Sequence, residues 1–293
     1  MKKYLRYADV LVLFTGALGL LLRLLVLMGG TDEKELYPAH HPAWIIACVL
    51  AVIVVAVIWL LTRQTGKDAR YEVNFPRSLP GAVGCGLGAV SLLVTALQLP
   101  NGKWLSMVCA LLGLLAALAL GLAAYCRFAG KKPHFACFFL PGCFFTLRVF
   151  LLGQTLGAEP ETFRYLFEML ANLAMIPACY QLWGFTVDLG DRDKCLFWSL
   201  TAAFLSMVAI PDPDHWLLHL GCAAWLMTNL CPLTVLRKQV RQPEEMEEAE
   251  EPATEEVQAE TASVPDSQSE AVEPIDVDAI LADILKEIDK TVE

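Results

Sequence analysis

The sequence lacks the short motifs that identify the common enzyme classes. It contains no GxSxG nucleophile turn, no phosphate-binding P-loop and no GxGxxG dinucleotide fingerprint. Residues 215–219 read HWLLH, so this pair of histidines lacks the glutamate that acts as general base in an HExxH zinc protease. The sequence therefore gives no support for a catalytic site, and it indicates no cofactor.

Basic residues are almost absent from the last fifty positions. Residues 244–293 contain 18 acidic and 2 basic side chains, a net charge of -16, whereas the rest of the chain carries a net charge of +6. The sequence pI of about 5.0 therefore describes this tail and not the remainder. Because the other basic residues lie in short stretches between apolar runs, the sequence predicts no nucleic-acid-binding surface.

The ten cysteines include no CxxC pair. Seven lie within apolar runs, and the other three lie in or near the ends of such runs on the side predicted to be cytoplasmic. A disulfide framework is therefore not indicated, and the cysteines are interpreted as small apolar packing residues.

Long hydrophobic runs dominate what is present. Hydrophobic residues make up 56% of the 293 positions, and a bilayer core of about 30 Å is crossed by about 20 apolar residues in a helix. The sequence therefore predicts an all-α integral membrane protein in contact with the lipid bilayer. Eight segments qualify as transmembrane helices: 8–29, 42–62, 79–98, 104–126, 135–154, 164–186, 195–211 and 215–236. Seven spans are the main alternative, with the last two segments forming a tight hairpin around the PDPD sequence at 211–214.

The basic residues between the runs predict the orientation. With eight spans and a cytoplasmic N-terminus, 15 Lys and Arg residues fall on the cytoplasmic side and 3 on the outer side. This bias favours eight spans in the cell membrane with both termini inside. The first run is too long for a signal peptide and contains Arg23, so it is interpreted as an uncleaved helix.

Small residues predict one close helix pair. Gly84 and Gly88 lie four residues apart in the third span, and Gly113, Ala117 and Gly121 are spaced in the same way in the fourth. Such spacing allows helix backbones to approach closely in a membrane. We expect these two spans to pack tightly.

Two arginines lie inside apolar runs, in LLRLLVL around Arg23 and in TLRVFLL around Arg148. Each is about six residues, roughly 9 Å, from the predicted outer end of its span. A charge at this depth requires a partner or water. Glu168 is expected to pair with Arg148, and Asn172 follows it on the same helix face. Three interpretations stay open: a structural ion pair with a snorkelling arginine, a binding site for an anionic substrate or lipid head group, and a proton or ion relay through Glu168.

Histidines mark the predicted outer ends of two spans. His215 and His219 share one helix face, a spacing that suits a metal ion, and His40 and Asp214 are additional candidate ligands. The alternative is that these polar residues only cap apolar helices at the membrane interface.

The chain after the spans divides into two further segments. We predict a transmembrane domain over 1–240, a disordered acidic linker over 241–274 and an amphipathic docking helix over 275–292. Apolar residues recur in this last segment at spacings of three and four and form one helix face: Val277, Ile280, Leu281, Ile284, Leu285 and Ile288. An acidic helix of this kind suits the groove of a cytoplasmic protein partner better than an anionic membrane surface.

Two functions are compatible with these features. The first is a non-enzymatic membrane anchor or accessory subunit that presents the C-terminal helix to its partner. The second is a small-solute or ion transporter with a polar site formed by Arg23, Arg148 and Glu168.

Overall fold

The computed structural model describes residues 7–28, 42–63, 70–99, 104–156, 165–212 and 215–234. These residues form nine helices and no strand: α1 (Ala8–Met28), α2 (Pro42–Thr62), α3 (Tyr71–Asn74), α4 (Leu79–Gln98), α5 (Trp104–Ala129), α6 (Ala136–Leu156), α7 (Leu166–Thr186), α8 (Arg192–Ala209) and α9 (Trp216–Thr234). All helices except α3 coincide with predicted spans to within three residues at each end. The all-helical class is thus confirmed.

Five of these helices, α1, α2, α4, α5 and α6, are long and apolar enough to cross a membrane. Their outward surfaces are also apolar, since Phe14, Val52 and Leu118 are each more than 70% exposed. A protein surrounded by water rarely presents apolar surface on this scale. The chain is therefore a membrane protein whose apolar helices are suited to contact with lipid.

Six helices form a closed ring. Each of α4, α5, α6, α7 and α8 packs along the next helix in the chain, and α9 packs along α4 to complete the circle. Helices α1 and α2 lie outside the ring, where they pack against each other and against α8. This arrangement leaves α8 covered on nearly all sides, which explains why it can be less apolar than a helix that faces lipid.

The contact between α9 and α4 depends on small residues. A Cβ atom on Gly84 would lie 2.9 Å from the carbonyl oxygen of Ala224, and one on Gly221 would overlap the side chain of Ser91 and lie 3.1 Å from the carbonyl oxygen of Leu87. Because neither glycine has a side chain, the two helix backbones can approach each other at both points.

The expected packing of the third and fourth spans, α4 and α5, is present, but several of its small residues have other neighbours. Gly84 faces α9, Gly88 lies between α5 and α9, and a Cβ atom on Gly121 would have no neighbouring atom within 4 Å. Gly113 does face α4, through Ala96. The helix pair was predictable from the sequence, whereas the assignment of Gly84 and Gly121 to it is wrong.

Aromatic side chains fill the middle of the ring. Phe138 of α6 and Trp225 of α9 are buried and stacked, with ring centroids 6.4 Å apart and an interplanar angle of 7°. Since α6 and α9 are not neighbours in the ring, this contact crosses its interior. An apolar contact therefore spans the interior of the ring between its two ends.

The short helix α3 covers the end of the ring that the sequence predicts to be cytoplasmic. Tyr71 and Phe75 are buried and stacked there, and Phe75 contacts the edge of Phe185 at the end of α7. The sequence predicts only a connecting loop in this segment. A helix of four residues has too few apolar positions to produce a recognisable pattern.

Candidate polar binding site

Polar side chains gather at the opposite end of the bundle. This end contains the last turns of α1 and α6, the first turns of α7 and α9, and the turn between α8 and α9. We call the following residues the polar cluster: Arg23, Arg148, Glu168, Asn172, Asp212, His215 and His219. All but His215 are at most 2% exposed, and the side chain of His215 is 24% exposed.

Arg148 and Glu168, which the sequence analysis pairs, form a buried ion pair. Nη2 of Arg148 donates to Oε1 of Glu168 at 2.8 Å. The same carboxylate oxygen lies 3.9 Å from Nε2 of His215. Glu168 is thus placed between a permanent cation on α6 and a titratable group just before α9.

Asn172 lies one helical turn below Glu168 on α7. Its side-chain Nδ2 donates to the main-chain carbonyl of Glu168 at 2.7 Å. Its Oδ1 is buried and accepts no hydrogen bond from the described part of the chain. Asn172 therefore has an acceptor left for another group.

Arg23 has a partner that the sequence analysis does not identify. Its Nη2 donates to Oδ1 of Asp212, in the turn after α8. The guanidinium also lies over the rings of Trp44 and Phe167, at 5.5 and 5.3 Å from their centroids, and such contacts stabilise a desolvated cation. Arg23 thereby attaches α1, which is outside the ring, to α2, α7 and the turn between α8 and α9.

His219 lies near both ion pairs. It is on α9 one turn below His215, within electrostatic range of Arg148, His215 and Arg23. Its Nε2 is buried and makes no hydrogen bond to any residue that the structure describes. The two ion pairs therefore lie on either side of a buried histidine whose Nε2 has no hydrogen-bond partner among the described residues.

The formal charges of the cluster balance, because two arginines face two carboxylates. The buried atoms without a hydrogen bond to the described residues include Nε of Arg148, Oδ1 of Asn172 and Nε2 of His219. Buried polar atoms are almost always hydrogen-bonded to protein or to water. The arginine nitrogen can donate, the asparagine oxygen can accept and the histidine nitrogen can do either, so these atoms can bind water or a small polar ligand.

The sequence does not predict that Asp212 belongs to this cluster, or that the rings of Trp44 and Phe167 contact Arg23. Asp212 belongs to the PDPD sequence that ends a predicted span, and Trp44 lies near the start of another. The structure buries both. A signal was available for Asp212, because a second arginine in a membrane requires a second carboxylate at similar depth.

The predicted metal site is only partly within the described residues. His215 and His219 lie near each other at the start of α9, while His40 and Asp214 lie outside the described residues. Among the residues that are described, no group of three or more His, Cys, Asp or Glu side chains is arranged to hold a metal ion. The four-residue metal site therefore stays a prediction.

The described cysteines form no disulfide, and six of these nine are buried. This agrees with their interpretation as packing residues.

Comparison with protein-family models, with curated proteins and with solved structures found no match for this chain. The function is therefore inferred from the geometry of the ring and of the polar cluster.

Proposed function

We propose that the chain is a transporter for a small polar solute, which binds at the polar cluster and crosses the membrane through the six-helix ring. In this proposal all eight long helices cross the cell membrane, both termini are cytoplasmic, and the polar cluster faces outward. The orientation follows from the distribution of basic residues in the sequence.

The main support for the proposal is the buried polar atoms of the cluster that make no hydrogen bond to the described residues. A purely structural ion pair gains most when every donor and acceptor is satisfied, and well-packed apolar residues often stabilise a protein equally well. Arg148, Asn172 and His219 come from three different helices of the ring, and each has a buried atom without a partner among the described residues. Such groups cost stability and are characteristic of sites that receive a ligand or water.

The chemistry of the cluster favours a solute with both an acidic and a basic or hydrogen-bonding group. Arg148 can bind a carboxylate, and Glu168 can bind an ammonium group or a donor N–H. A zwitterion would therefore replace the Arg148–Glu168 pair with two matched pairs of its own. His215 lies beside Glu168 and is partly exposed, so its protonation would offer the carboxylate a competing cation and weaken the pair.

The path from the polar cluster to the cytoplasm is blocked at two places in the ring. The Arg148–Glu168 pair links α6 to α7 above the apolar contact between Phe138 and Trp225. The α3 segment covers the opposite end. A solute at the cluster would be separated from the cytoplasm by this contact and by the α3 segment until the ring rearranges.

The test uses His219→Leu in the full-length chain, with His134→Leu as a control at an exposed histidine near the other end of the ring. Thermal unfolding of the purified protein is followed with a panel of amino acids, dicarboxylates and monovalent cations, and solutes that stabilise it are tested for uptake into proteoliposomes. We expect His219→Leu to retain the thermal stability of the wild type or exceed it, and to lose both ligand stabilisation and uptake. Strong destabilisation by His219→Leu with unchanged uptake would show that the histidine is structural.

A second function is favoured by the apolar stripe of residues 275–292. We propose that this segment, as a helix, binds a cytoplasmic partner, so that the transmembrane domain also acts as a membrane anchor or accessory subunit. The stripe lies outside the described residues, and its support is the spacing in the sequence.

The anchor proposal is tested by purifying the full chain and a chain without residues 275–293 from host membranes. A matched control replaces Ile280, Leu281, Ile284 and Leu285 with serine. A protein that accompanies only the unaltered chain supports the proposal. Identical sets of accompanying proteins and identical localisation for all three chains would contradict it.

A further inference from the structure

A third buried arginine lies at the end of the ring covered by α3. Arg127 is two residues from the end of α5 and is 1% exposed. Its Nη1 donates to the carbonyl of Pro76 at 2.9 Å, and its guanidinium lies 5.3 Å from the centroid of the Phe75 ring. The side chain is therefore held between α5 and the segment that connects α3 to α4.

Arg127 differs from the other two buried arginines in having no carboxylate partner. Within the described residues it takes part in no ion pair, and neither Nε nor Nη2 makes a hydrogen bond. The carbonyl end of α5 and the Pro76 carbonyl offset part of the positive charge. No carboxylate among the described residues supplies a full negative charge here, and a buried cation is costly without one.

The unused nitrogens of Arg127 face the first turn of α4. A Cβ on Gly81 would lie 2.9 Å from Nη2 and 3.1 Å from Nε. The Gly81 N–H donates to the Oγ of the N-cap residue Ser78 and the Ala82 N–H to the Ser78 carbonyl, so the helix contributes the positive end of its dipole and not these two donors. The helix terminus and the guanidinium both favour an anion at this place.

The Tyr71 hydroxyl is a further donor beside Arg127. Tyr71 lies near the guanidinium and is buried, and its hydroxyl proton has no acceptor among the described residues. Burial raises the pKa of Tyr71 above its ordinary value, despite the opposing effect of Arg127. The hydroxyl therefore keeps its proton and can donate a hydrogen bond to an anion.

The surface around this end is mostly basic. Arg77 and Lys131 are exposed next to it, and Lys132 is paired with Asp188. Glu72, on α3, is the exposed acidic residue closest in sequence to Tyr71. Exposed cations of this kind attract anions toward the buried arginine.

We infer that Arg127, the Tyr71 hydroxyl and the first turn of α4 form a binding site for one phosphate group, either as inorganic phosphate or as the head group of an anionic phospholipid. The site lies at the other end of the ring from the polar cluster and does not depend on the transport proposal. Because Tyr71 and Phe75 cover Arg127, the α3 segment must move outward for the phosphate to enter.

The test measures the thermal midpoint of the purified full-length chain in a non-ionic detergent. One arm adds inorganic phosphate at constant ionic strength, with chloride as the reference. The other arm adds phosphatidylglycerol to mixed micelles, with phosphatidylcholine as the reference. At several times its Kd, the bound probe should raise the midpoint by roughly 2–4 °C.

Arg127→Gln should abolish this rise, and Arg127→Lys should retain part of it. The matched control is Arg63→Gln, because Arg63 is exposed and also lies over an aromatic ring, that of Trp59 at 5.0 Å. A rise with phosphate alone or with phosphatidylglycerol alone identifies the source of the group. If Arg127→Gln does not fold, Tyr71→Phe serves instead and should weaken binding several-fold.

The inference is overturned if neither probe raises the midpoint of the wild type. It is equally overturned if Arg127→Gln, or Tyr71→Phe in its place, responds as the wild type does.

Discussion

The Arg148–Glu168 pair provides the sharpest quantitative prediction. Removal of one member of a buried ion pair costs roughly 3–5 kcal/mol, because the other charge loses its counter-charge, whereas removal of both is often neutral. We therefore expect Arg148→Met and Glu168→Leu each to lower the free energy of unfolding by about 3 kcal/mol or more. The double variant should lie within roughly 1 kcal/mol of the wild type.

The assay is equilibrium unfolding in mixed micelles with increasing SDS, followed by circular dichroism on all four proteins. The reasoning is refuted if each single variant costs less than about 1 kcal/mol, or if the double variant is as unstable as the worse single variant. Either result would mean that the pair is hydrated and that its charges are not buried together.

Three further predictions concern packing and charge elsewhere in the structure. Gly221→Ala should destabilise the protein by roughly 1–3 kcal/mol in the same assay, because the added methyl group crowds the contact between α9 and α4. Gly121→Ala, with open space around it, should be neutral or stabilise the protein by up to about 1 kcal/mol. Equal effects of the two substitutions would contradict the packing of α9 against α4. Asp212→Asn should cost roughly 3 kcal/mol, since it removes the charge of the buried carboxylate to which Arg23 donates. A neutral result would argue against that pair. Burial raises the pKa of Asp191, the N-cap of α8, but hydrogen bonds from Lys194 outweigh this effect, so the pKa lies below its ordinary value. The ionised carboxylate therefore stabilises the fold above about pH 4, and this stabilisation is lost as pH falls through the folded-state pKa. Thermal unfolding of Asp191→Asn, which preserves the cap, should depend less on pH in that range.

The sequence predicts the helices well because bilayer thickness and hydropathy determine them locally. It also predicts the pairing of Arg148 with Glu168, since a short outer connection joins their helices and places both at similar depth. The pairing of Arg23 with Asp212 joins residues 189 positions apart. No local pattern indicates which helices meet over that separation.

The closure of the ring was not predictable for a similar reason. The contact between α4 and α9 depends on Gly84 and Gly221, but small residues do not specify which helix approaches them. In the sequence, Arg127 is one basic residue among several at the cytoplasmic ends of the spans. Its burial results from α3, whose four residues carry no periodic signal.

Hydrogen–deuterium exchange of the full chain in lipid nanodiscs distinguishes a solute site from a structural ion pair, because a site for a polar solute must admit water and a dry ion pair need not. We expect amides near Arg148, Asn172 and His219 to exchange measurably faster than those in the middle of α2, a lipid-facing helix of the same protein. Equal protection of the polar cluster and of α2 would rule out the transport proposal and leave the cluster as a structural feature.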